Sequence, residues 1–166
     1  VVADGYVAAK EGRDLLNVEW EDGKWGTLDD AEILDRLKEA AGQDGATVRE
    51  EGDIDSVLSL DREQIRAAYT LPYLAHATME PMNCTAWVRN GQCTVWAPTQ
   101  FQNAPGLVGG GARQVAAKAA GVSPDNTVVH TTFLGGGFGR RAEQDFVREA
   151  AELAGKVDGP IKVIWT

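Results

Sequence analysis

Apolar residues are spaced in two different ways along this chain, and the change falls near residue 62. Before it, apolar positions between 28 and 41 recur at helical spacing, with Thr27 suited to begin that helix and Gly42 to end it. After it, apolar and polar residues alternate in short runs bounded by turn residues, which predicts strands. The first part is also expected to hold short helices over 4–16 and 52–60 and short strands over 17–20 and 46–51.

The Asn90-Gly91 pair predicts a two-residue β-hairpin turn between two of the alternating runs. Val88 then pairs with Cys93, and we interpret this register as placing Trp87 and Trp96 on opposite faces, where they act as packing residues. Along the rest of the second part, the pattern predicts a strand over 64–74, a helix over 112–120, a strand over 127–133, a helix over 142–154 and a strand over 161–165.

These elements predict an α+β fold, with mixed sheets and helices, a hairpin and a C-terminal βαβ unit. That unit is the strand–helix–strand succession that begins at Thr127, and its crossover favours a parallel pair of strands. The chain divides into two sub-regions, 1–61 and 62–166. The first is acidic and has few core residues, whereas the second holds most of the aromatic and β-branched residues.

The two cysteines, Cys84 and Cys93, lie on one face of the predicted hairpin. At about 3.3 Å per residue along a strand, they are roughly 13 Å apart. A disulfide needs Cα atoms within about 7 Å, so we predict two free, half-buried thiols. His76 and His130 are not closely spaced with the cysteines or with each other, and no zinc site is predicted.

Charge and composition narrow the classes of partner. The net charge of −9 argues against nucleic acid and against an anionic membrane surface. No apolar run approaches the roughly 18 residues of a membrane span, and no targeting segment is evident, so the localisation stays open. Position 1 is Val and both Met residues are internal, so we expect the sequence to have been cut from a longer protein.

The strongest candidate for chemistry is the glycine-rich stretch between the strand over 127–133 and the helix over 142–154. Four of the five residues from 135 to 139 are Gly, which lets the backbone turn tightly and approach another molecule closely. The stretch leads to a predicted helix start, where unpaired N–H groups favour an anion. Arg140 and Arg141 stand there too, either to hold a phosphate or as solvated side chains. Taken alone, the stretch fits a plain turn without a ligand equally well.

Residues 137–142 also satisfy the G-x-G-x-x-A pattern of a dinucleotide-binding turn. That motif calls for an acidic residue about 20 positions further on, at the end of the next strand, to hold the ribose. The next strand ends at 165–166 in Trp-Thr, and no acid follows. A dinucleotide-binding domain is therefore the minor alternative, and it predicts a thermal shift with NAD or FAD.

Three stretches together resemble the sequence of one enzyme family: AHATMEPMN (75–83), VWAPTQ (95–100) and VHTTFLGGGFGRR (129–141), which includes the glycine-rich stretch. Their order and spacing resemble the large, molybdenum-cofactor-binding subunit of the xanthine dehydrogenase/aldehyde oxidase family. The likeness is greatest to the isoquinoline 1-oxidoreductase beta-subunit and aldehyde dehydrogenase group. The resemblance implies that 1–61 is the end of a hammerhead-like α/β domain with its connector, and that 62–166 is the first part of the molybdenum-cofactor-binding domain.

The resemblance also implies the site. The loop lies beside the molybdenum, with backbone N–H groups near an oxygen ligand of the metal and no side chain bound to the metal directly. Its implied cofactor-binding residues are Gly136, Gly137, Phe138 and Gly139. The candidates for lining the active site are His76, Glu80 and Arg140, each with a structural alternative: a hydrogen-bonded histidine, an ion-paired carboxylate or a solvated arginine. Gln100 and Gln102 are polar loop residues for which no chemistry is predicted.

The implied activity belongs to a longer parent enzyme, a molybdopterin-dependent oxidoreductase that hydroxylates aldehydes or N-heterocyclic aromatics such as isoquinoline. Its electrons would leave through an iron–sulfur small subunit. Purine-oxidising members carry a Gln at the position of Leu74 and an acid after the glycine loop, where this chain has Arg140, Arg141 and Ala142. Both differences argue against purine substrates.

The catalytic glutamate of the family lies far toward the C-terminus of the full subunit. No catalytic residue is therefore expected here, and the isolated fragment is expected to lack both cofactor and activity. The competing hypothesis is a non-catalytic structural or interaction domain, whose exposed sheet edge could pair two copies into a homodimer.

Overall fold

The computed structural model describes residues 1–60, 63–104, 106 and 109–166. The chain forms two compact units, Val1–Tyr73 and Leu74–Thr166. The predicted boundary between 61 and 62 falls outside the described residues. Within the described ranges, no helix is both long enough and apolar enough to cross a membrane.

The first unit is built of short helices: α1 (Tyr6–Asp14), α2 (Asp30–Ala41) and α3 (Ile54–Leu58). No residue of these helices is buried. The carboxylate of Asp29 caps α2 by accepting the N–H of Glu32, so Asp29, and not Thr27, begins that helix.

The strands predicted over 17–20, 46–51 and 64–74 do not form. All three segments are described, and none of their residues belongs to a strand. A strand requires a hydrogen-bonding partner, and the described residues of the first unit offer no second strand. Local alternation of apolar residues therefore gave the wrong prediction in these three segments.

The second unit contains a four-stranded mixed sheet, which confirms the α+β fold. Its strands are β1 (Asn83–Arg89), β2 (Gln92–Ala97), β3 (Thr127–Thr131) and β4 (Ile161–Ile164), in the order β3-β2-β1-β4. The β1–β2 hairpin has the predicted turn and register, with Val88 opposite Cys93. Asn90 and Gly91 have φ of 51° and 73°, as a two-residue turn of this kind requires.

The two strands predicted to form a parallel pair are not neighbours in the sheet. Strand β3 runs parallel to β2, and β4 runs antiparallel to β1. Strands β3 and β4 therefore point the same way, as expected of a strand–helix–strand crossover, but they occupy opposite edges of the sheet. The β1–β2 hairpin lies between them, so the unit is a split βαβ arrangement.

Two helices cover one face of the sheet, α4 (Ala112–Ala120) and α5 (Asp145–Ala154). Helix α4 covers the predicted range 112–120, and Gly121 ends it in the left-handed conformation at φ 68°. Buried apolar side chains from both layers form the core, among them Cys84, Ala86, Cys93, Val95, Ala97, Ala116, Phe146, Val147, Ala150 and Ala151. The glycine-rich stretch follows β3 and precedes α5 in the chain. The core holds both of these elements and β2 in place.

The two tryptophans of the hairpin lie on the same face, contrary to the prediction. The register pairs Thr85 with Trp96 and Trp87 with Thr94. Directly paired residues share a face, and Trp87 is two positions from Thr85, so Trp87 and Trp96 both face away from the core. Trp96 also stacks on His130 of β3, with ring centroids 5.4 Å apart.

Both cysteines are free, as predicted, but they are fully buried rather than half-buried. Burial raises the pKa of the Cys84 thiol to about 12, with a further contribution from Cys93, and burial also raises the pKa of Cys93. Both thiols therefore stay protonated and shielded in the folded chain.

We expect neither thiol to react with an aromatic disulfide reagent at pH 8 in the folded chain, and both to react in urea. Because the pKa of Cys84 rises from 9.0 to about 12 on folding, its contribution to stability is complete below pH 9.0 and is lost as the pH rises above it. Release of reagent chromophore measures the reactivity. A thiol that reacted as fast in the folded chain as in urea would contradict its burial.

Candidate functional site

The glycine loop, residues 135–139, connects the end of β3 to a 3₁₀ turn at Arg140–Ala142. Its backbone enters the left-handed region three times, at Gly136 (φ 103°), Phe138 (φ 50°) and Gly139 (φ 91°). A non-glycine residue in this region costs of the order of 1–3 kcal/mol. The Phe138 side chain gains no burial in return, since it is 76% exposed. Backbone strain at an exposed aromatic is typical of a segment shaped for binding.

Four of the loop's five carbonyl groups accept hydrogen bonds, whereas the N–H groups of its last four residues are free. The carbonyl of Gly137 accepts the N–H of Arg140 at 2.9 Å, and that of Gly139 accepts the N–H of Ala142 at 3.0 Å. Among the described residues, no protein group accepts a hydrogen bond from the backbone N–H groups of four consecutive residues, Gly136, Gly137, Phe138 and Gly139. Successive unpaired N–H groups in a turn form a concavity that binds anions.

The prediction that the loop leads directly to a helix N-terminus, whose N–H groups would help to bind an anion, is wrong. Helix α5 begins at Asp145, after the 3₁₀ turn, so the loop does not lead directly into it. The Asp145 carboxylate accepts the N–H of Phe146 at 2.9 Å and already provides the negative charge at this helix start. The same separation departs from the dinucleotide motif, in which the turn opens directly onto the helix.

Arg140 is held by an ion pair. Its Nη1 and Nη2 atoms donate to the two carboxylate oxygens of Asp145 at 3.2 and 2.6 Å, and its guanidinium lies 5.2 Å from the centre of the Trp165 ring. Burial raises the pKa of Asp145, but the hydrogen bonds from Arg140 and from the N–H of Phe146 outweigh it, so that pKa lies below its usual value. The guanidinium therefore has a fixed partner at the side of the loop.

Arg141, by contrast, is completely buried beneath the loop. Its Nε donates to the carbonyl of Gly136 at 2.7 Å, and its Nη2 donates to the carbonyl of Glu80 at 2.7 Å. Nη2 also lies 3.1 Å from the Glu80 carboxylate. The buried Nη1 has no hydrogen-bond partner among the described residues. Arg141 thus fastens one end of the loop to residue 80.

Glu80 holds Gly135, the first residue of the loop. Its Oε2 accepts the N–H of Gly135 at 2.8 Å, and its own N–H donates to the Gly135 carbonyl at 3.2 Å. Its Oε1 accepts from the side-chain amide of Asn83 at 2.9 Å. Both carboxylate oxygens are therefore engaged, as the ion-paired alternative for Glu80 requires. We call Glu80 and Arg141 the loop clamp.

The sequence alone does not reveal this clamp, because its two residues are 61 positions apart. The signal available was weak: a carboxylate in the 75–83 stretch and an arginine after the glycines, which are charges that could equally well have been solvated. Only the fold shows that the arginine is buried and that the glutamate meets it.

His76 and Arg140 both line one open cleft of the second unit, with a volume of about 560 Å³. The other lining residues are Ala75, Ala77, Thr78, Met82, Trp165 and Thr166. Neither Glu80 nor the glycine loop belongs to that lining. The three candidate lining residues from the sequence are thus divided, with His76 and Arg140 at the cleft and Glu80 in the clamp.

These residues fit an anionic cofactor. The free N–H groups of the loop and the unpartnered Nη1 of Arg141 are all hydrogen-bond donors, and they lie within one short segment. In the described part of the chain, no group of three or more His, Cys, Asp or Glu side chains is placed to hold a metal ion. The chemistry that the segment offers is the donation of hydrogen bonds.

Comparison with known proteins agrees with this geometry. Residues 38–166 match the family model of the molybdopterin cofactor-binding domain. This chain belongs to that family. The family resemblance of the three sequence stretches is thereby confirmed.

Three curated relatives align with nearly the whole chain at 27–30% sequence identity. The chain is 30% identical to a membrane-bound aldehyde dehydrogenase (pyrroloquinoline-quinone) of Gluconacetobacter polyoxogenes, over 100% of the chain and 21% of the relative. It is 28% identical to the xanthine dehydrogenase molybdenum-binding subunit of Escherichia coli O157:H7, over 98% and 21%. It is 27% identical to the isoquinoline 1-oxidoreductase subunit beta of Brevundimonas diminuta, over 100% and 22%. The chain thus spans about a fifth of the length of these relatives.

Proposed function

We propose that the glycine loop forms one side of the molybdenum cofactor site in a longer oxidoreductase. Gly136, Gly137, Phe138 and Gly139 would direct their backbone N–H groups at an oxygen atom of the anionic cofactor. The observation that carries the proposal is the run of four consecutive unpaired N–H groups in a loop where four of the five carbonyl groups accept hydrogen bonds. Membership of the molybdopterin cofactor-binding domain family supports the choice of anion.

The cofactor, when bound, supplies the oxidation chemistry, and this chain supplies position and polarity. The clamp formed by Glu80 and Arg141 holds the loop at Gly135 and Gly136 before any ligand arrives. Donors that are already in place stabilise developing negative charge without a reorganisation cost. The exposed Phe138 ring places an apolar surface beside those donors. The clamp residues therefore act through the loop and do not touch the reacting atoms.

The parent enzyme is proposed to oxidise aldehydes or N-heterocyclic aromatics, with an iron–sulfur small subunit as its electron-transfer partner. Two of the relatives are named as subunits, and the names of the three include aldehyde, xanthine and isoquinoline oxidoreductases. This chain has Leu74 in place of the Gln of purine-oxidising members, and its 140–142 segment lacks their acidic residue, which favours the aldehyde and isoquinoline classes. His76 and Arg140 are proposed to lie near the substrate side of the site.

The domain boundaries belong to the same proposal. Residues 1–61 would be the end of a hammerhead-like domain with its connector, and 62–166 the first part of the cofactor-binding domain. The helical character of the first unit and the mixed sheet of the second are compatible with this division.

Metal and pterin analysis tests this proposal. The parent protein, purified from its own host, should contain molybdenum and pterin in equal amounts and should oxidise an aldehyde or N-heterocycle. The 166-residue chain alone should contain neither and should be inactive. A parent without molybdenum would contradict the proposed function. Stoichiometric molybdopterin in the isolated chain would contradict the proposal that this chain forms only one side of the cofactor site.

A further inference from the structure

Residues 64–74 have the side-chain pattern of a strand but belong to no strand in this chain. Apolar side chains stand at alternate positions: Ile65, Ala67, Tyr69, Leu71 and Tyr73. Ile65 is 95% exposed, and Tyr69 and Leu71 are each 90% exposed. Residues at every second position share one face of a strand. Paired into a sheet, these five residues, which we call the apolar stripe, would therefore all lie on one face.

The backbone of this segment is unpaired as well. Among the described residues, no protein group forms a hydrogen bond with a backbone N–H or carbonyl group of residues 64–74. Water can satisfy these groups while the segment is exposed, but burial of the apolar stripe requires a protein partner for them. A neighbouring strand supplies such partners along its whole length. The segment therefore fits a sheet better than it fits a groove between helices.

The segment is suited to the edge of a sheet. Pro72 has no N–H group to donate, and proline in sheets is found at edge strands, strand starts and bulges. The face opposite the apolar stripe includes the polar side chains of Gln64, Arg66 and Thr70. One apolar and one polar face is the pattern of a sheet that is covered on one side and solvated on the other.

We propose that residues 64–74 form an edge strand of a sheet whose other strands lie in the rest of the parent polypeptide. This chain covers only 21–22% of the three relatives, so a parent of similar length has most of its residues outside these 166. A second copy of this chain is a poorer partner, because each copy carries a net charge of −9 and like charges oppose association. The inference rests on the proposal of a longer parent and does not depend on the identity of its cofactor.

Hydrogen–deuterium exchange of the parent protein tests the proposal. The backbone amides of residues 64–74 should exchange at least about hundredfold more slowly in the parent than in the 166-residue chain. The β1–β2 hairpin is the internal control, because its amides are already paired in this chain and should be protected in both proteins. Equally fast exchange of residues 64–74 in both proteins would overturn the proposal.

Leu71→Asp and Thr70→Asp are a matched pair of variants of the parent. The two residues are neighbours and gain the same charge, but Leu71 belongs to the apolar stripe and Thr70 to the polar face. Because a charge is costly to bury, Leu71→Asp should lower the protection of residues 64–74 by at least about tenfold, whereas Thr70→Asp should change it by less than about twofold. Equal loss of protection in both variants would overturn the assignment of the two faces. If the parent with Leu71→Asp does not fold, the exchange of the unmodified parent still decides the proposal.

Three further outcomes identify the partner. Protection of residues 64–74 in the 166-residue chain that rises with protein concentration would overturn the parent strand in favour of a second copy. Protection that appears in the large subunit only after the small subunit is added would overturn it in favour of that subunit. A parent that protects the segment but contains no molybdenum would support this inference and contradict the proposed function.

Discussion

Replacing Arg141 with Met should lower the free energy of unfolding of the second unit by about 3 kcal/mol. The substitution removes the hydrogen bonds to the carbonyls of Gly136 and Glu80 and the ion pair with the Glu80 carboxylate. Arg141 is fully buried, and removing one partner of a buried pair leaves the other charge uncompensated. The Glu80 side chain is 28% exposed, and it would keep its bonds to Gly135 and Asn83 in the variant. Its charge would therefore be only partly uncompensated, so the expected loss lies at the lower end of the range for buried pairs.

Arg148→Met is the matched control. Arg148 lies on α5 and forms an exposed ion pair with Glu152, one helical turn further along, and its side chain is 54% exposed. Such a pair contributes about 0.3–0.5 kcal/mol. Urea unfolding followed through the amide signals of the sheet would measure both variants. A cost at Arg141 no larger than that at Arg148 would show that the clamp does not hold the loop.

A second large effect is expected for Gly135→Ala. The added Cβ atom would lie 2.5 Å from the Cβ atom of Glu80. That atom is attached directly to the backbone, so it cannot rotate away as the tip of a side chain could. The bond from the N–H of Gly135 to the Glu80 carboxylate must therefore be lost or lengthened. We expect a loss of about 2–3 kcal/mol in the free energy of unfolding and a clear weakening of molybdate binding.

Gly155→Ala controls for the glycine-to-alanine change itself. Gly155 caps the end of α5 at φ −74°, and an added Cβ there would meet backbone atoms only at ordinary contact distances of 3.6 Å. It should be neutral or slightly stabilising. Thermal unfolding and titration with molybdate together give the comparison. Gly135→Ala would contradict the clamp geometry if it matched Gly155→Ala in both measurements.

Local sequence signals predicted the local parts of this fold. Asn90-Gly91 fixed the hairpin and its register, because both residues tolerate the positive φ that the turn requires. Gly121 fixed the end of α4 for the same reason. The glycine loop was located correctly, since a run of four glycines in five residues has few structural uses.

The non-local parts could not be predicted in this way. Whether β3 and β4 are neighbours depends on where the hairpin pairs, and no residue within the crossover determines that. Residues 46–51 have local β character but find no partner strand. The contact between Glu80 and Arg141 depends on the complete sheet and helix layer, which buries the arginine under the loop.

The predicted placement of Trp87 and Trp96 on opposite faces is wrong. The predicted register itself, with Val88 opposite Cys93, places both side chains on one face. Their shared face is the one that α4 and α5 leave uncovered, because the core residues alternate with them along β1 and β2.

The central claim is that the backbone N–H groups of residues 136–139 bind an oxyanion. Residue-resolved amide NMR of the unmodified chain during titration with molybdate tests it most directly. We expect saturable shifts of the amide signals of Gly136, Gly137, Phe138 and Gly139, with much smaller changes in the strands and in α4. Shifts confined to other segments, or none in these four signals at saturating molybdate, would contradict it.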